Sequence, residues 1–225
     1  MGSTKKIRYF IIFGLFVFNY SYGQDTVKDE THLNKYLIAI LDTVLQEDQQ
    51  YRLHANEIEA KYGWESYKMD SIWKIIVQKD SINLIKVKKI LNEYGWLGSD
   101  IIGDQGNLTL FLVIQHSDLE TQEKYLPMMK EAVENGNAKA CDLALLEDRI
   151  AMRNGNKQVY GSQITQDQET GEYSVYPLID PDNVDKRRAE VGLGPLQDYV
   201  SYWGLTWDVK EYKMKLTEIE VKQNK

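Results

Sequence analysis

Apolar residues recur at helical spacing through most of the chain, and this periodicity limits the possible folds more than any other feature. The clearest case is an amphipathic helix predicted over residues 25–51, with apolar positions at Leu33, Leu37, Ile40, Leu41 and Val44. The same spacing predicts a second helix over residues 66–78 and a third that begins at Asp80 or Ser81 and stops at Gly95. The sequence therefore indicates a chain built mainly from packed amphipathic helices.

The N-terminus differs from the rest of the sequence. Lys5, Lys6 and Arg8 precede a short apolar run over residues 9–18, and the small residue Gly23 follows before a plausible cleavage position. The run is about half as long as the ~20 residues of a membrane-spanning helix, and the whole pattern is typical of a secretory signal peptide. An uncleaved membrane anchor is the alternative. We therefore expect an exported protein, periplasmic or extracellular, with no stable membrane anchor after cleavage.

Charge and cysteine content narrow the possible partners. Cleavage after Gly23 removes three of the 27 basic residues and no acid, which leaves 24 basic against 34 acidic side chains, a net charge of −10. We expect no binding to nucleic acid or to an anionic membrane, because phosphates repel an acidic protein. Cys141 is the only cysteine and cannot form a disulfide within the chain, although an exported protein meets an oxidising compartment.

The middle of the sequence continues the helical pattern after a glycine-rich loop over residues 95–106. Residues 108–114 are nearly all apolar, which fits a buried helix or a buried strand, but Asn107 as a cap and helices on both sides favour a helix. Residues 117–120 form a capping box, Ser-x-x-Glu, that opens the next helix. A further helix is predicted over residues 138–153.

A β-hairpin is predicted over residues 157–179. Its strands are KQVYGSQI and EYSVYPLI, joined by a turn in which Gly171 can take a positive φ. Alternation along the first strand would place Tyr160 on the opposite side from Gly161 and Gln163. Because Gly161 has no side chain, another group can approach its backbone closely.

Short helices are predicted to follow the hairpin. Asp180 would cap one, with Pro181 at its first position, and Pro195 would begin another. The sum is an α-rich α+β fold, a helical array or bundle with one β-hairpin. We expect a signal peptide over residues 1–23 and an N-terminal helical region over residues 24–79. A core that contains the hairpin would follow over residues 80–204, and a tail that fits either helix or strand over residues 205–225.

Four sequence elements follow one another over about residues 80–199, roughly half of the chain. They are NEYGWLG, VIQHSD, LLEDRIAMRNGNKQVYGSQ and VDKRRAEVGLGPLQDY. The series resembles an uncharacterised bacterial family, a domain of unknown function. The family pattern has proline where Leu97 stands and threonine where Ser162 stands, but neither change removes a possible acid, base or ligand. The resemblance implies no known activity, and it marks the segment in which a site is expected.

His116 is the candidate general acid or base. It ends the apolar run, and the ring of a partly buried histidine can exchange protons near neutral pH. Asp118 or Asp148 would orient the ring, which makes these three residues the candidate catalytic set. The alternatives are structural, since His116 can satisfy a helix end and Asp118 suits the first turn of a helix.

The candidate binding residues lie around the predicted corner between helix and hairpin: Arg149, Tyr160, Gln163, Arg187 and Arg188. The planar fork of Arg149 could grip a substrate carboxylate or clamp a carboxylate of the protein itself. One of Arg187 and Arg188 could reach the hairpin, and an ordinary solvated arginine is the alternative. We expect the elements QHSD, EDR, YGSQ and DKRR to meet around one polar cleft.

Several known kinds of site have no support in the sequence. The histidines His32, His54 and His116 lack the spacing of metal ligands and there is no cysteine cluster, so we expect no metal and no cofactor. The segment DPDNVD lacks the turn glycine and the final glutamate of a calcium loop. No phosphate-binding loop, dinucleotide fingerprint or serine-nucleophile motif is present.

Two functions fit these features. The first is a binding or interaction module that recognises a small molecule, glycan or protein of the cell envelope in the polar cleft. The second is a metal-independent hydrolase or lyase that acts on cell-envelope glycan or peptide, with His116 as acid or base. A purely structural role is a third possibility, and the sequence does not decide whether the protein is an enzyme.

Overall fold

The computed structural model describes residues 32–167 and 170–223, with side chains described through residue 216. These residues divide into two compact units, an N-terminal unit of residues 32–139 and a C-terminal unit of residues 140–223. Together the described residues form eight α-helices and one two-stranded antiparallel sheet. The predicted α-rich α+β fold is therefore confirmed. The predicted signal peptide lies outside the described residues and stays a prediction.

The N-terminal unit consists of four helices, α1 (Lys35–Tyr62), α2 (Tyr67–Tyr94), α3 (Ser99–His116) and α4 (Leu119–Glu134). Helix α1 packs against both α2 and α3, while α2 also contacts α3, and α3 contacts α4. The apolar stripe of each helix faces its neighbours, as the periodicity predicted. The predicted helix over residues 25–51 corresponds to α1, which begins later and runs on to Tyr62, while residues 25–31 lie outside the described part.

Polar caps set where these helices begin. Asn34, Ser66 and Asp118 each accept a hydrogen bond from the backbone amide three residues further on, which satisfies a donor that the first turn leaves open. The capping box that we predicted from Ser117 is therefore wrong by one residue. Ser117 instead donates its hydroxyl hydrogen to the carbonyl of Ile114, at 2.7 Å.

Helix α2 is continuous over 28 residues, so the predicted break at Asp80 or Ser81 is wrong. The hydroxyl of Ser81 donates back to the carbonyl of Val77, 2.9 Å away, and does not cap a new helix. The boundary expected there between two regions falls within α2. Packing keeps the helix intact, because its buried stripe continues on both sides of this position, through Met69, Ile72, Ile76, Asn83, Val87 and Ile90.

Helix α3 begins inside the predicted glycine-rich loop, at Ser99. Gly103 interrupts it with φ 71° and ψ 165°, so α3 consists of two helical segments divided by a break. The predicted helix over residues 108–114 is confirmed, but Asn107 is not its cap. Asn107 is buried, and its Nδ2 donates to the carbonyls of Leu97 at 2.8 Å and Asn137 at 2.6 Å, which ties together the loops that precede α3 and follow α4.

The C-terminal unit contains α5 (Ala140–Arg153) and the hairpin strands β1 (Ile164–Gln166) and β2 (Tyr173–Val175). Three further helices follow: α6 (Val184–Glu190), α7 (Leu196–Val200) and α8 (Val209–Gln223). The tail that fitted helix or strand is helical. A small apolar core holds the unit together and consists of Ile164, Leu178, Val184, Leu196 and Val200.

The predicted hairpin is present, with β1 antiparallel to β2 and Ile164 opposite Val175. The first strand is shorter and starts later than predicted, so residues 160–163 form a loop and the expected alternation of their side chains is wrong. A single bridge joins Gln158 to Leu178 before the hairpin proper. Gly171 takes φ 74° in the turn, as predicted.

Asp180 does not cap a helix with its side chain. Its backbone is left-handed, with φ 44°, and it precedes a short 3₁₀ turn over Pro181–Asn183. The side chain accepts from Nδ2 of Asn183 at 2.8 Å instead. Pro181 does occupy the first position of a helical turn, as predicted, while α6 itself begins at Val184.

The predicted close approach to Gly161 is confirmed, and the group that approaches is Leu196. Gly161 has φ 73°, and a Cβ built on it would lie 3.0 Å from Cδ1 of Leu196. Leu196 is fully buried in the core of the C-terminal unit. The loop therefore packs its backbone directly onto the core.

Gly161→Ala should destabilise the protein more than Gly155→Ala. Both glycines have a positive φ, which costs an alanine about 1–2 kcal/mol. Only Gly161 has a neighbour within 4 Å, and we expect this contact to add about 1–3 kcal/mol. Urea denaturation of the two variants measures the difference, and equal losses would contradict the packing described for Leu196.

Candidate functional site

A buried ionic network lies in the N-terminal unit where α1, α2 and α3 meet. Helix α1 supplies Asp48 and Arg52, α2 supplies Asp80, and His116 is the last residue of α3. The side chains of Asp48, Arg52 and His116 are 1%, 5% and 7% exposed, and that of Asp80 is 21% exposed. Charges at such depth are stable only when they are paired and hydrogen-bonded.

The His116–Asp48 pair is the centre of this network. Nδ1 of His116 lies 2.9 Å from Oδ1 of Asp48. Because an ionised carboxylate can only accept, Nδ1–H is the donor, and the neutral ring then carries no proton on Nε2. Arg52 approaches the same Oδ1 at 3.2 Å, and Gln49 donates to Oδ2 at 2.7 Å. Both oxygens of the carboxylate are therefore engaged.

Arg52 joins the two acidic side chains of the network. Its NH2 group donates to both carboxylate oxygens of Asp80, at 2.8 and 2.9 Å, while NH1 donates to the backbone carbonyl of Asp48 at 2.8 Å. The two bonds to Asp80 come from one nitrogen, and both are charge-assisted, which makes them stronger than neutral hydrogen bonds. Arg52 thus links α1 to α2 at the level where α1 also meets His116.

The two carboxyl groups of the network have opposite pKa shifts. Burial raises the pKa of Asp48, but the charge and hydrogen bond of His116 and the charge of Arg52 outweigh it, and the pKa lies below its ordinary value. The pKa of Asp80 is raised, because burial and the nearby charge of Asp48 outweigh the attraction of Arg52. Asp48 is therefore the group that is held ionised beside His116.

Sequence analysis missed Asp48, Arg52 and Asp80. Asp48 and Arg52 lie in phase with the apolar stripe of α1, between Val44 and Ala55, and all four residues are buried. A charged residue in phase with an apolar stripe must be buried with a partner. That phase was the available signal, but it does not identify the partner, which lies 68 residues away for Asp48 and His116.

The carboxylate bonded to Nδ1 of His116 is one that the sequence analysis did not single out. Asp118 caps α4 by accepting from the amide of Thr121 at 2.7 Å, and Asp148 lies in the C-terminal unit. The carboxylate bonded to Nδ1 is that of Asp48. An orienting role for Asp118 or Asp148 stays a prediction. A catalytic role for His116 stays a prediction.

Asp48, Asp80 and His116 also form a possible ligand set, since one donor atom from each lies within 4.8 Å of the others. Spacing along the sequence could not reveal such a set. The positive charge of Arg52, however, already bridges the two carboxylates, and Nδ1 of His116 uses its hydrogen for Asp48. A metal ion would have to displace both, so the arrangement does not fit a metal site well.

In the C-terminal unit, Asp148 binds backbone amides. It is fully buried on α5, and its carboxylate accepts from the amides of Val159 at 2.7 Å, Tyr160 at 3.0 Å and Ser162 at 2.9 Å. Burial raises the pKa of Asp148, while the amides of Ser162, Val159 and Tyr160 lower it. These amides are unavailable to a strand partner, which explains why β1 starts only at Ile164.

Arg187 and Arg188 bind carbonyls of the same loop. Arg188 is 3% exposed and donates to the carbonyls of Tyr160 at 2.8 Å and Gly194 at 2.6 Å. Arg187 donates to the carbonyls of Val159 at 3.0 Å and Ile179 at 2.6 Å. Both arginines therefore reach the hairpin, and for Arg188 the alternative of a solvated side chain is wrong.

The remaining corner residues are also buried or bonded within this unit. The amide of Gln163 donates to Oε1 of Gln158 at 2.7 Å, and its side chain donates to Oγ of Ser162 at 2.9 Å. Arg149 is 6% exposed on α5, and its charge opposes the burial that raises the pKa of Tyr199. Burial likewise raises the pKa of the half-buried Tyr160.

The structure thus brings together Asp148, Tyr160, Gln163, Arg187 and Arg188 around residues 158–163. These contacts join the EDR, YGSQ and DKRR elements of the sequence. His116 and Asp118 belong to the N-terminal unit, and their participation in the same cleft stays a prediction. In the C-terminal unit, side chains bind the main chain of a loop. In the N-terminal unit, the network around His116 is formed mainly by side chains that bind one another.

The structure defines a helical protein with one hairpin, a buried His–Asp pair and a buried aspartate that binds the backbone amides of a loop. The chain belongs to a family of unknown function, DUF6624, which it matches over residues 35–214. No curated protein and no solved structure matches the chain. Within the described residues, none of the helices has the length and apolar character needed to cross a membrane.

Asp48→Asn should destabilise the protein in a pH-dependent way. At pH 7 we expect the free energy of unfolding to fall by about 3–5 kcal/mol, because His116 and Arg52 lose the buried charge that pairs with them. Since the folded-state pKa of Asp48 is lowered, its stabilisation is present above about pH 4 and is lost as the pH falls through the folded pKa. The difference between the wild type and the variant should therefore shrink as the pH falls below about 4.

The matched control is Asp42→Asn, an exposed aspartate on the same helix that accepts from Gln105 at 2.7 Å. We expect this variant to lower the free energy of unfolding by less than about 1 kcal/mol at every pH. Urea denaturation at pH 7, 5 and 3 measures both variants. A similar loss for the two, or a loss for Asp48→Asn that does not change with pH, would contradict the buried ion pair.

Proposed function

We propose that the protein is an exported, metal-independent hydrolase or lyase that acts on cell-envelope glycan or peptide. One observation carries this proposal: Nδ1 of the buried His116 is bonded to the ionised Asp48 at 2.9 Å. A carboxylate in this position orients the ring, fixes its tautomer and stabilises the imidazolium that forms when the ring takes up a proton. Such a pair supports general acid–base catalysis by histidine.

The described contacts of the corner support an enzyme more than a binding module. Asp148, Arg187 and Arg188 direct their polar atoms to the backbone of residues 159–162 and to neighbouring carbonyls. Such groups stabilise a loop, and a ligand would have to compete with the bonds that they already form. The His116–Asp48 pair is different, because an oriented histidine beside a buried charge has a chemical use beyond stability.

In the proposed mechanism, His116 takes a proton from water or from the substrate and returns it to the leaving group. Asp48 compensates the positive charge of the ring while it is protonated. Arg52 and Asp80 act as positioning residues, because the guanidinium holds Asp48 at its backbone carbonyl and Oδ1 and is itself held by Asp80. General acid–base catalysis of this kind contributes about 10²–10⁴-fold to a rate. Arg52 supports chemistry without a metal, because its positive charge already pairs with both carboxylates.

Export supports the choice of an envelope substrate. The basic start and short apolar run of residues 1–23 fit a signal peptide, and the net charge of −10 after cleavage does not favour nucleic acid as a substrate. An exported bacterial hydrolase or lyase meets the glycan strands and peptides of the envelope first. The proposed substrate class rests on this location.

His116→Gln should lower kcat for cleavage of cell-wall glycan or peptide fragments by about 10²–10⁴-fold, because a glutamine side chain cannot take up and return a proton. The matched control is His54→Gln, an exposed histidine on α1 that also lies beside a carboxylate, Glu57, at 3.3 Å. We expect the control to keep wild-type kcat. Mass spectrometry of the products and a circular dichroism melt of each variant complete the measurement.

Two results would overturn the enzyme proposal. One is that the wild type cleaves none of the fragments, and the other is that folded His116→Gln cleaves them at the wild-type rate. Should His116→Gln fail to fold, Asp48→Glu provides a second test, since it keeps the charge but moves the carboxylate. We expect Asp48→Glu to lower kcat with little change in KM, because it misplaces the ring without removing a substrate contact.

Export is tested separately by expression of the full chain in a bacterial host. We expect the protein in the periplasm or the medium, with a mature N-terminus at Gln24 by mass spectrometry. Leu15→Arg places a charge within the apolar run of the signal and should hold the chain, uncleaved, in the cytoplasm. Cytoplasmic, full-length wild-type protein would contradict export.

A further inference from the structure

We propose that the groove between α1 and α2 binds an acidic glycan chain. The proposal rests on the proposed function for the choice of a cell-envelope ligand, and it names the substrate class more closely. The groove has a volume of about 580 Å³, within the usual range of small-molecule sites. Leu37 and Ile90 are buried at its floor, and the two helices form its walls.

Two exposed aromatic side chains flank the groove. Tyr36 on α1 is 74% exposed and Tyr94 on α2 is 49% exposed, and both line the same cavity. An exposed tyrosine offers a flat apolar face and a polar edge at little cost in conformational entropy. The apolar face of a pyranose ring stacks on such a surface, while its hydroxyl groups remain in water. The pair therefore suits a sugar better than a purely apolar ligand.

The groove carries positive charge in an otherwise acidic protein. Lys89 lines it, is exposed, and has no ion pair or hydrogen bond within the part of the chain that the structure describes. Lys86 lines it as well and shares Glu47 with Lys79, so these three groups together retain one positive charge. Glu93 is the acidic residue of the lining. Lys89, the Lys86–Glu47–Lys79 group and Glu93 therefore carry a net charge of +1, whereas the mature chain carries −10.

This combination points to a sugar that bears a carboxylate. The aromatic flanks select a pyranose, and Lys89 offers an exposed cation about one helical turn from Lys86 along α2, in the same lining as Tyr94. An anionic group on the sugar would meet Lys89, whereas a neutral sugar would leave it unpaired. Muramic acid, the envelope sugar with a lactyl carboxylate, has this chemistry.

The test compares two tetrasaccharides that differ in their lactyl carboxylates. One alternates N-acetylglucosamine with N-acetylmuramic acid, and the other is neutral tetra-N-acetylchitotetraose. We expect the wild-type mature chain to bind the acidic compound at least tenfold more tightly in isothermal titration. Lys89→Glu should lower the affinity for the acidic compound at least tenfold, because it reverses a charge at contact distance. Tyr36→Ala should lower the affinity for both compounds.

The control is Lys74→Glu, the same charge change at an exposed position of α2 outside the groove, which should leave binding unchanged. The proposal is overturned if neither compound binds, if both bind equally, or if Lys74→Glu weakens binding as much as Lys89→Glu. Binding without turnover would contradict the enzyme proposal and leave the groove proposal standing. If no binding is detected by titration, and turnover depends on His116 but not on Tyr36 or Lys89, the groove proposal is contradicted and the enzyme proposal stands.

Discussion

The buried carboxylate of Asp48 is the constraint on which the N-terminal unit depends. A charge at this depth must be compensated, and Arg52, one turn later on α1, and His116, at the end of α3, supply the compensation. Asp80 on α2 binds Arg52 from the other side. Because the His116–Asp48 and Arg52–Asp80 contacts each fix a distance between two helices, the network sets their register as well as their proximity. Apolar packing alone would tolerate a shift of one helix along another, and the ionic contacts remove that freedom.

The C-terminal unit solves a related problem in a different way. Asp148 is equally buried, but its partners are backbone amides, while Arg187 and Arg188 bind the carbonyls of the same loop. A segment without regular secondary structure thereby has its main-chain hydrogen bonds satisfied by side chains. The two units thus use buried acids for different purposes, one to align helices and pair with a histidine, the other to shape a loop. This difference places the candidate chemistry at His116.

Most of the fold could be predicted from sequence, because helix periodicity and glycine turns are local. The errors lie where a distant partner overrides a local preference. Asp80 has the residue type of a helix cap, but its ion pair with Arg52 lies within a continuous helix. Residues 160–163 have the composition of a strand, but the amides of Tyr160 and Ser162 donate to Asp148 and that of Gln163 donates to Gln158. His116 was found as a polar residue that ends an apolar run. The phase of Asp48 in the apolar stripe of α1 indicates its burial, but no spacing rule links it to a residue 68 positions away.

The clamp of Asp148 has a consequence for how this loop would respond to solvent. The amides of Val159, Tyr160 and Ser162 are bonded to a buried carboxylate, and they should exchange their hydrogens with deuterated water as slowly as amides of a sheet. A protected segment that has no ladder partner would be mistaken for a longer β1 in such data. Slow exchange in this loop therefore reports the integrity of one side chain on α5.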